Sequence, residues 1–250
     1  MTQTKQPPEN PGRFRFRDTR LCLGESVVLS GLDVTHCTID NNGPRHGAII
    51  KLRQMGLVPS TLDVAIALGA FRPSVVSMSG ICAGLSGNAT LGELIVASPA
   101  WEYQAGKWSE NGFEIAPTQI ILRPATRVKI AQAFEQDDLL DVFEHGLGKL
   151  GRPGKRHKPS IKPFATGSAV IADSRRLEHI KQQHRKVAGL DMETFGLYYA
   201  AHEAAQQVPH FFSVKCVVDL ADKDKGDDLH EYGCAMAARA AVHLIGSLFS

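Results

Sequence analysis

Two short apolar runs end in carboxylates: Gly189-Leu190-Asp191-Met192-Glu193-Thr194 and, further along, Val214-Lys215-Cys216-Val217-Val218-Asp219-Leu220-Ala221-Asp222. Such a run reads as a buried parallel strand that delivers acidic side chains to the C-terminal edge of a sheet, where open α/β folds keep their ligand sites. A pair of acids placed this way suits chemistry on a small polar molecule. Asp191 also resembles a helix N-cap, and Glu193 falls in a first helical turn, where the helix dipole favours negative charge. Taken alone, that structural role is the simpler reading of both. Asp219 is different, because Phe211 to Leu220 is apolar enough for a central strand and would leave the terminal carboxylate partly desolvated. Desolvation raises a carboxyl pKa and suits a general acid working near neutrality.

Other chemistries find less support. Ser79-Gly80-Ile81-Cys82-Ala83-Gly84 lacks both the lysine of a phosphate loop and the spacing of the dinucleotide fingerprint, which disfavours a nucleoside-triphosphate or nicotinamide enzyme. What it offers is exposed backbone N–H and room for a ligand to approach the main chain, although a tight turn would need the same glycines. The five cysteines, Cys22, Cys37, Cys82, Cys216 and Cys234, are odd in number with no close pair. They indicate neither a disulfide framework nor a zinc knuckle, so no metal is expected and reduced thiols in the cytoplasm fit best. With 28 basic against 26 acidic residues the formal charge is +2, without the global field of a nucleic-acid binder. Met1 to Asn10 lacks the apolar core of a signal peptide, and no stretch is long and apolar enough to span a bilayer, so no membrane partner is expected.

A chain of 250 residues with 43% hydrophobic content can bury a full core. We read it as a flexible or basic segment over 1–20 followed by one domain over 21–250. The alternation Arg13-Phe14-Arg15-Phe16-Arg17 fits an edge strand or a surface tail, the flexible terminus being the simpler reading. Ser26 to Asp40, broken at Gly31, predicts a hairpin, and Asn41-Asn42-Gly43-Pro44 predicts a stop followed by helices over His46–Met55 and Ser60–Leu68. An α/β alternation follows: strand Val75–Ser79, a turn at Gly80–Gly84, strand Glu93–Ser98, a short strand or turn at Gln119–Leu122, and helical periodicity over Arg127–Glu144. His145–Pro163 reads as an exposed loop whose basic residues face solvent. Then come strand Ile161–Ile171, helix Ser174–His184, strand Val187–Asp191, helix Met192–Gln206, strand His210–Asp219 and a last helix over Leu229–Leu248. That helix carries a packing stripe of Tyr232, Met236, Ala240, Val242 and Leu244. The pattern predicts an α/β fold, a three-layer α/β/α sandwich around a central mixed sheet.

The strings SGICAG, IVASPAWEYQAGKW, FATGSAVIAD, GLDMETFG and VKCVVDLADKDK, in this order, resemble the nucleoside phosphorylase and nucleosidase superfamily, in particular its bacterial branch similar to methylthioadenosine/S-adenosylhomocysteine nucleosidases. The resemblance runs from about Asn41 to the C-terminus. It implies that Asp219 protonates or hydrogen-bonds the leaving purine at N7, that Glu193 holds the ribose hydroxyls, and that Met192 packs on the sugar. It further implies that Ile81, Cys82 and Ala83 line the floor under the ribose and the nucleophile, with Val170 and Ile171 beside the base. Cleaving an N-glycosidic bond builds oxocarbenium character on the sugar and negative charge on the base, and a proton donor plus a carboxylate answer both. No cofactor is called for.

Three departures matter. The superfamily's phosphorylases carry an arginine two residues before the glycine of the turn and often a serine after it; this chain has Met78 and Ile81, which favours water over phosphate as nucleophile. The stacking phenylalanine of the nucleosidases is replaced by Val170. No apolar first strand precedes Leu21, and Glu25 is not flanked as the water-activating glutamate would be. The expectation is therefore a purine nucleosidase acting on an adenosine-type nucleoside, with or without a 5′-thio substituent, and by resemblance a homo-oligomer. A nucleoside-binding regulatory module and a phosphorylase are the alternatives.

Overall fold

Phe211 to Val218 is interrupted in its apolar character only by Ser213 and Lys215, and every residue of it is buried. Around this run the computed structural model describes residues 13–16, 19–41, 43–110, 112–148, 150–171, 173–204, 208–221 and 228–249; Asp222 lies outside them. The chain opens with β1 (Arg13–Phe16), β2 (Thr19–Leu29), β3 (Leu32–Asp40) and β4 (Pro44–Lys51), an antiparallel four-stranded meander. Ser30 at φ 51 and Gly31 at φ 78 form the expected tight turn between β2 and β3.

Two expectations fail in this meander. Arg13–Phe16 is an edge strand rather than a flexible terminus, because pairing with Thr19–Cys22 gives its backbone groups partners. His46–Lys51 is strand and not helix, paired without a slip from Asp33↔Lys51 to Asp40↔Pro44. Ile49 and Ile50 favour the pleat, and Gly47 allows the Cys37 thiol to lie against the strand, where a Cβ would stand 3.1 Å from the sulfur. Pro44 therefore follows a hairpin turn: Gly43, at φ 129, donates its N–H to Asp40 Oδ1 at 3.3 Å.

Helix α1 (Leu57–Phe71) leads to β5 (Val75–Gly84), β6 (Leu94–Glu102), a hairpin of β7 (Gly106–Ser109) and β8 (Gly112–Ile115) that the sequence reading missed, and β9 (Gln119–Ile120). Helices α2 (Pro124–Phe134) and α3 (Leu139–Glu144) precede β10 (Ser160–Thr166), α4 (Ser174–Gln183), β11 (Gly189–Asp191), α5 (Thr194–Glu203), β12 (His210–Asp219) and α6 (His230–Leu248). The predicted turn at Gly80–Gly84 is a continuation of β5, since its residues pair with β12 or β11.

The second sheet has the order β10-β11-β5-β12-β6-β9, and β10 also pairs with β6, so it curls back on itself. It is mixed, with β12 parallel to β5 and antiparallel to β6. Helix α5 lies on the Phe211 and Ser213 face: Tyr198 packs edge-on against Phe211, accepts from Ser213 N at 3.2 Å and donates to Ala97 O at 2.6 Å. Helix α6 covers the other face, where Gly233 lets it descend onto Cys216 and Val218. Tyr232, Met236, Ala240 and Leu244 are buried as expected, whereas Val242 faces the meander with Ile245, against Leu21, Cys37 and Ile39. The basic loop after α3 does not simply face solvent. Arg152 (3.3 Å) and Arg156 both pair with buried Glu144, which also accepts from Tyr232 Oη at 2.8 Å, and Lys158 reaches Glu135 at 2.7 Å.

Candidate active site

A lysine in the middle of a buried strand needs its charge matched. Lys215 Nζ lies 2.9 Å from Asp191 Oδ2 and 3.4 Å from Glu193 Oε2. Gly80, its register partner on β5, makes room for it: a Cβ there would stand 3.3 Å from Nζ. Burial pushes the amine down, but the two carboxylates more than offset this and raise it above 10.5, so it is a cation at neutral pH.

Asp191 is fully engaged. Oδ1 accepts from Thr166 Oγ1 at 2.8 Å and Oδ2 from Thr194 Oγ1 at 2.6 Å, while Thr194 N donates to both at 3.2 and 3.1 Å. Asp191 thus braces the start of α5 through Thr194, but the N-cap expected at Asp191 is Glu193, two residues later, and Glu193 precedes the first turn in which it was expected. Glu193 keeps 14% of its side chain exposed and has capacity left. Oε1 accepts from Gly56 N at 3.2 Å and Oε2 faces Lys215, while the Glu193 carbonyl accepts from Ser60 Oγ at 3.3 Å. A carboxylate held at both oxygens still has lone pairs for two further donors, which is what two neighbouring hydroxyls require.

Asp219 ends β12 beside Ala83 of β5. Its Oδ1 accepts from Ala221 N at 2.8 Å, with Ala221 in the left-handed region at φ 55. Cys82, next to Ala83, is buried, and its thiol is pushed well up, first by burial and then by the charge of Asp191. A protonated thiol of this kind is no nucleophile at neutral pH.

The structure thus pairs Asp219 with the main chain of Ala83, sets Cys82 close enough to feel the charges of Asp191, Lys215 and Asp219, and joins Glu193 to this group through Lys215; Met192 stands between Asp191 and Glu193 in the chain, and the Ala83 side chain packs toward Trp101 and Tyr103. It does not bring in the others. The Ile81 side chain points to Gly233 of α6, on the face opposite Lys215, so only its main chain is available to the site. Ile171 is buried with Trp101 and Tyr103, and Val170 is 71% exposed on the loop that leaves β10. That loop is tethered beside β11 by Gly167 N to Asp191 O and by Tyr103 Oη to Ala169 O, both at 3.0 Å. Glu25 is exposed on β2, at the bulge between Leu23 and Ser26. Lys215 and Gly56 were not singled out from the sequence. A lone lysine in an apolar strand was the available signal for the first, since such a charge requires partners. A cleft of about 940 Å³ opens between α1 and α5 near Arg72, Tyr199 and Pro209, at the far end of α5 from Glu193, and none of these site residues lines it.

The model of the phosphorylase superfamily matches residues 27–249. The chain belongs to this superfamily. The uncharacterized protein y4jS of Sinorhizobium fredii is 34% identical over 206 residues, 80% of this chain and 49% of that protein. The ATP nucleosidase Cap17 of Escherichia coli is 25% identical over 209 residues, 79% of this chain and 41% of that protein. The chain therefore spans about half the length of these two curated relatives. Among solved structures, the S-adenosylhomocysteine nucleosidase of Streptococcus pyogenes in complex with 5-methylthiotubericidin superposes with a TM-score of 0.69 at 16% identity, over 89% of this chain and 86% of that one. The likeness extends the phosphorylase-superfamily assignment to the fold, mixed sheet and helices alike. Among the described residues, no helix is long and apolar enough to cross a membrane.

Proposed function

We propose that the chain is a purine nucleosidase that hydrolyses the N-glycosidic bond of an adenosine-type nucleoside and releases the free base. The observation that carries the reading is a pair of unlike carboxylates joined through one strand: Glu193, held between an N–H and a buried ammonium, and Asp219, at the end of the strand that bears that ammonium. From Lys215 to Asp219 an extended strand covers roughly 13 Å, room for a sugar and base laid along it.

In this reading the C1′–N9 bond breaks with its electrons passing to the purine, and Asp219 donates a proton or hydrogen bond at N7. Glu193 accepts from the ribose hydroxyls, Met192 packs on the sugar, and the main chain of Ile81, Cys82 and Ala83 lies beneath it. Val170, exposed on the loop after β10, is a contact that substrate would have to cover, whereas Ile171 supports that loop from its place among Trp101 and Tyr103 and does not reach the base. Water attacks C1′. Phosphate is disfavoured because the positions of its cationic and hydroxyl ligands hold Met78, which is buried, and Ile81. No cofactor enters the chemistry.

The 5′ substituent separates two forms of the reading. A thioether follows from the sequence resemblance, and a triphosphate is raised by the ATP nucleosidase among the relatives. We place the protein in the cytoplasm as a homo-oligomer, which light scattering on the purified chain checks. A nucleoside-binding regulator is the second reading, favoured by the position of Glu25 on the meander, where it supplies no base. Both are tested by base release from methylthioadenosine, S-adenosylhomocysteine, adenosine, inosine and ATP, with and without phosphate, with Asp219→Asn as the blank. Phosphate-independent release that disappears in the variant supports the nucleosidase. Binding without release supports the regulator, and release only with phosphate overturns both.

A further inference from the structure

We propose that Arg53 and Asp63 are positioning residues: their ion pair sets the turn before α1 so that the Gly56 N–H orients Glu193, an inference that rests on the ribose-binding role given to Glu193 above. Asp63 is 1% exposed, on the side of α1 turned to the protein, and Arg53 occupies both of its oxygens. Oδ2 accepts from the Arg53 backbone N–H at 3.0 Å, and Oδ1 accepts from Nε at 2.7 Å and pairs with the second guanidinium nitrogen as well. Two guanidinium nitrogens on one oxygen of a buried carboxylate, with the backbone N–H on the other, fix the main chain along with the side chain.

The other end of the turn is pinned by Ser60, whose N–H donates to Gly56 O at 3.1 Å. Gly56 sits at φ 118, a conformation open to glycine and strained for other residues, and in it the N–H meets Glu193 Oε1 at 3.2 Å. Held at both ends, the turn keeps that N–H in place before any substrate arrives. Released at Arg53, it would let Glu193 leave Gly56 and close on Lys215, 3.4 Å away. The carboxylate would survive and its geometry toward two hydroxyls would not. Arg53 also reaches the β2–β3 turn, with one guanidinium nitrogen 3.7 Å from where a Gly31 Cβ would be, so the clamp joins the meander to the site.

The test is calorimetric titration of the full chain with adenosine and with 2′,3′-dideoxyadenosine, in an Asp219→Asn background so that nothing turns over. The readout is the dissociation constant of 2′,3′-dideoxyadenosine divided by that of adenosine. Arg53→Ala and Asp63→Ala are expected to lower this ratio about tenfold, as small misplacements of a binding group do, with Arg53→Lys retaining part of it. In a Glu193→Gln background neither variant should lower it further. Arg53→Ala strands a buried carboxylate, whereas Asp63→Ala leaves an arginine that is 44% exposed and can turn to solvent, so Asp63→Ala, with Arg53→Lys beside it, carries the test if Arg53→Ala does not fold. An unchanged ratio in either alanine variant, even with a lower melting temperature, makes the pair merely structural and overturns the proposal. A different failure belongs to the functional reading: if the protein lacking these changes does not prefer adenosine, or Glu193→Gln leaves the preference intact, Glu193 is no ribose ligand and both inferences fall.

Discussion

Lys215 shows how one side chain joins stability to chemistry. Its ammonium is the common counter-ion of Asp191, which ends β11 and holds Thr194 at the start of α5, and of Glu193, which faces the proposed ribose site. Removing one partner of a buried pair leaves an uncompensated charge, so Lys215→Met is expected to cost about 3–5 kcal/mol. Urea denaturation at neutral pH measures it; a loss below about 1 kcal/mol would mean that the Thr166 and Thr194 hydrogen bonds alone carry Asp191. Asp219→Asn should behave in the opposite way. The residue is half-buried at a strand end with one bond from Ala221, so its stability should change little, while base release falls roughly 10²–10⁴-fold if it is the general acid. An unimpaired rate would remove Asp219 from the mechanism.

At the scale of elements, the site depends on how closely α1 approaches α5. Gly196 permits the approach: a Cβ there would run into Ser60 Oγ and come within 2.7 Å of Thr61 Oγ1 and 2.9 Å of the Leu57 carbonyl. The carbonyl belongs to a helix and cannot step aside, so Gly196→Ala should destabilise by about 1–3 kcal/mol and push Glu193 away from Gly56. Denaturation together with nucleoside binding would show both effects, and a variant of unchanged stability would mean that the helices part easily. The break at Gly56 could be read from the sequence, but neither its contact with Glu193 nor the role of Gly196 could, because what each residue meets is fixed by a contact between distant segments. Strand β12 was legible to its end residues because burial on both faces writes a continuous apolar run. Strand β4 was not: Pro44 before a mixed run imitates a helix start, and only pairing with β3 makes it a strand. The same limit applies at the site. Asp219 and Glu193 announce themselves as acids at strand ends, whereas Ile81, in an adjacent position by sequence, turns its side chain to α6 through the alternation of β5.

For the molecule as a whole, the buried centre of the second sheet sets the pH range over which it holds together. Cys216 lies beneath α6, and burial pushes its thiol up to about 12 from 9.0. Cys82 is pushed up by burial as well, and so are the Tyr198 and Tyr232 phenols from 10.0. Each of these acids keeps its proton in the native state at pH values where the unfolded chain has lost it. Their contribution is complete below the unfolded pKa and disappears as pH rises through the folded one, so stability should decline from pH 9 upward. Lys215 adds to the same fall from 10.5, since its ammonium stabilises the carboxylates only while it is protonated. Cys216→Ala isolates one part of this. It should lower the urea midpoint at pH 7 through lost packing, yet give a shallower decline between pH 9 and 11 than the parent, by up to about 1.4 kcal/mol per pH unit. Parallel curves would mean that the Cys216 thiol ionises in the folded protein as readily as in the unfolded chain, and that the α6 face of β12 admits water or a counter-ion where the packing of Tyr232, Gly233 and Val218 argues for neither.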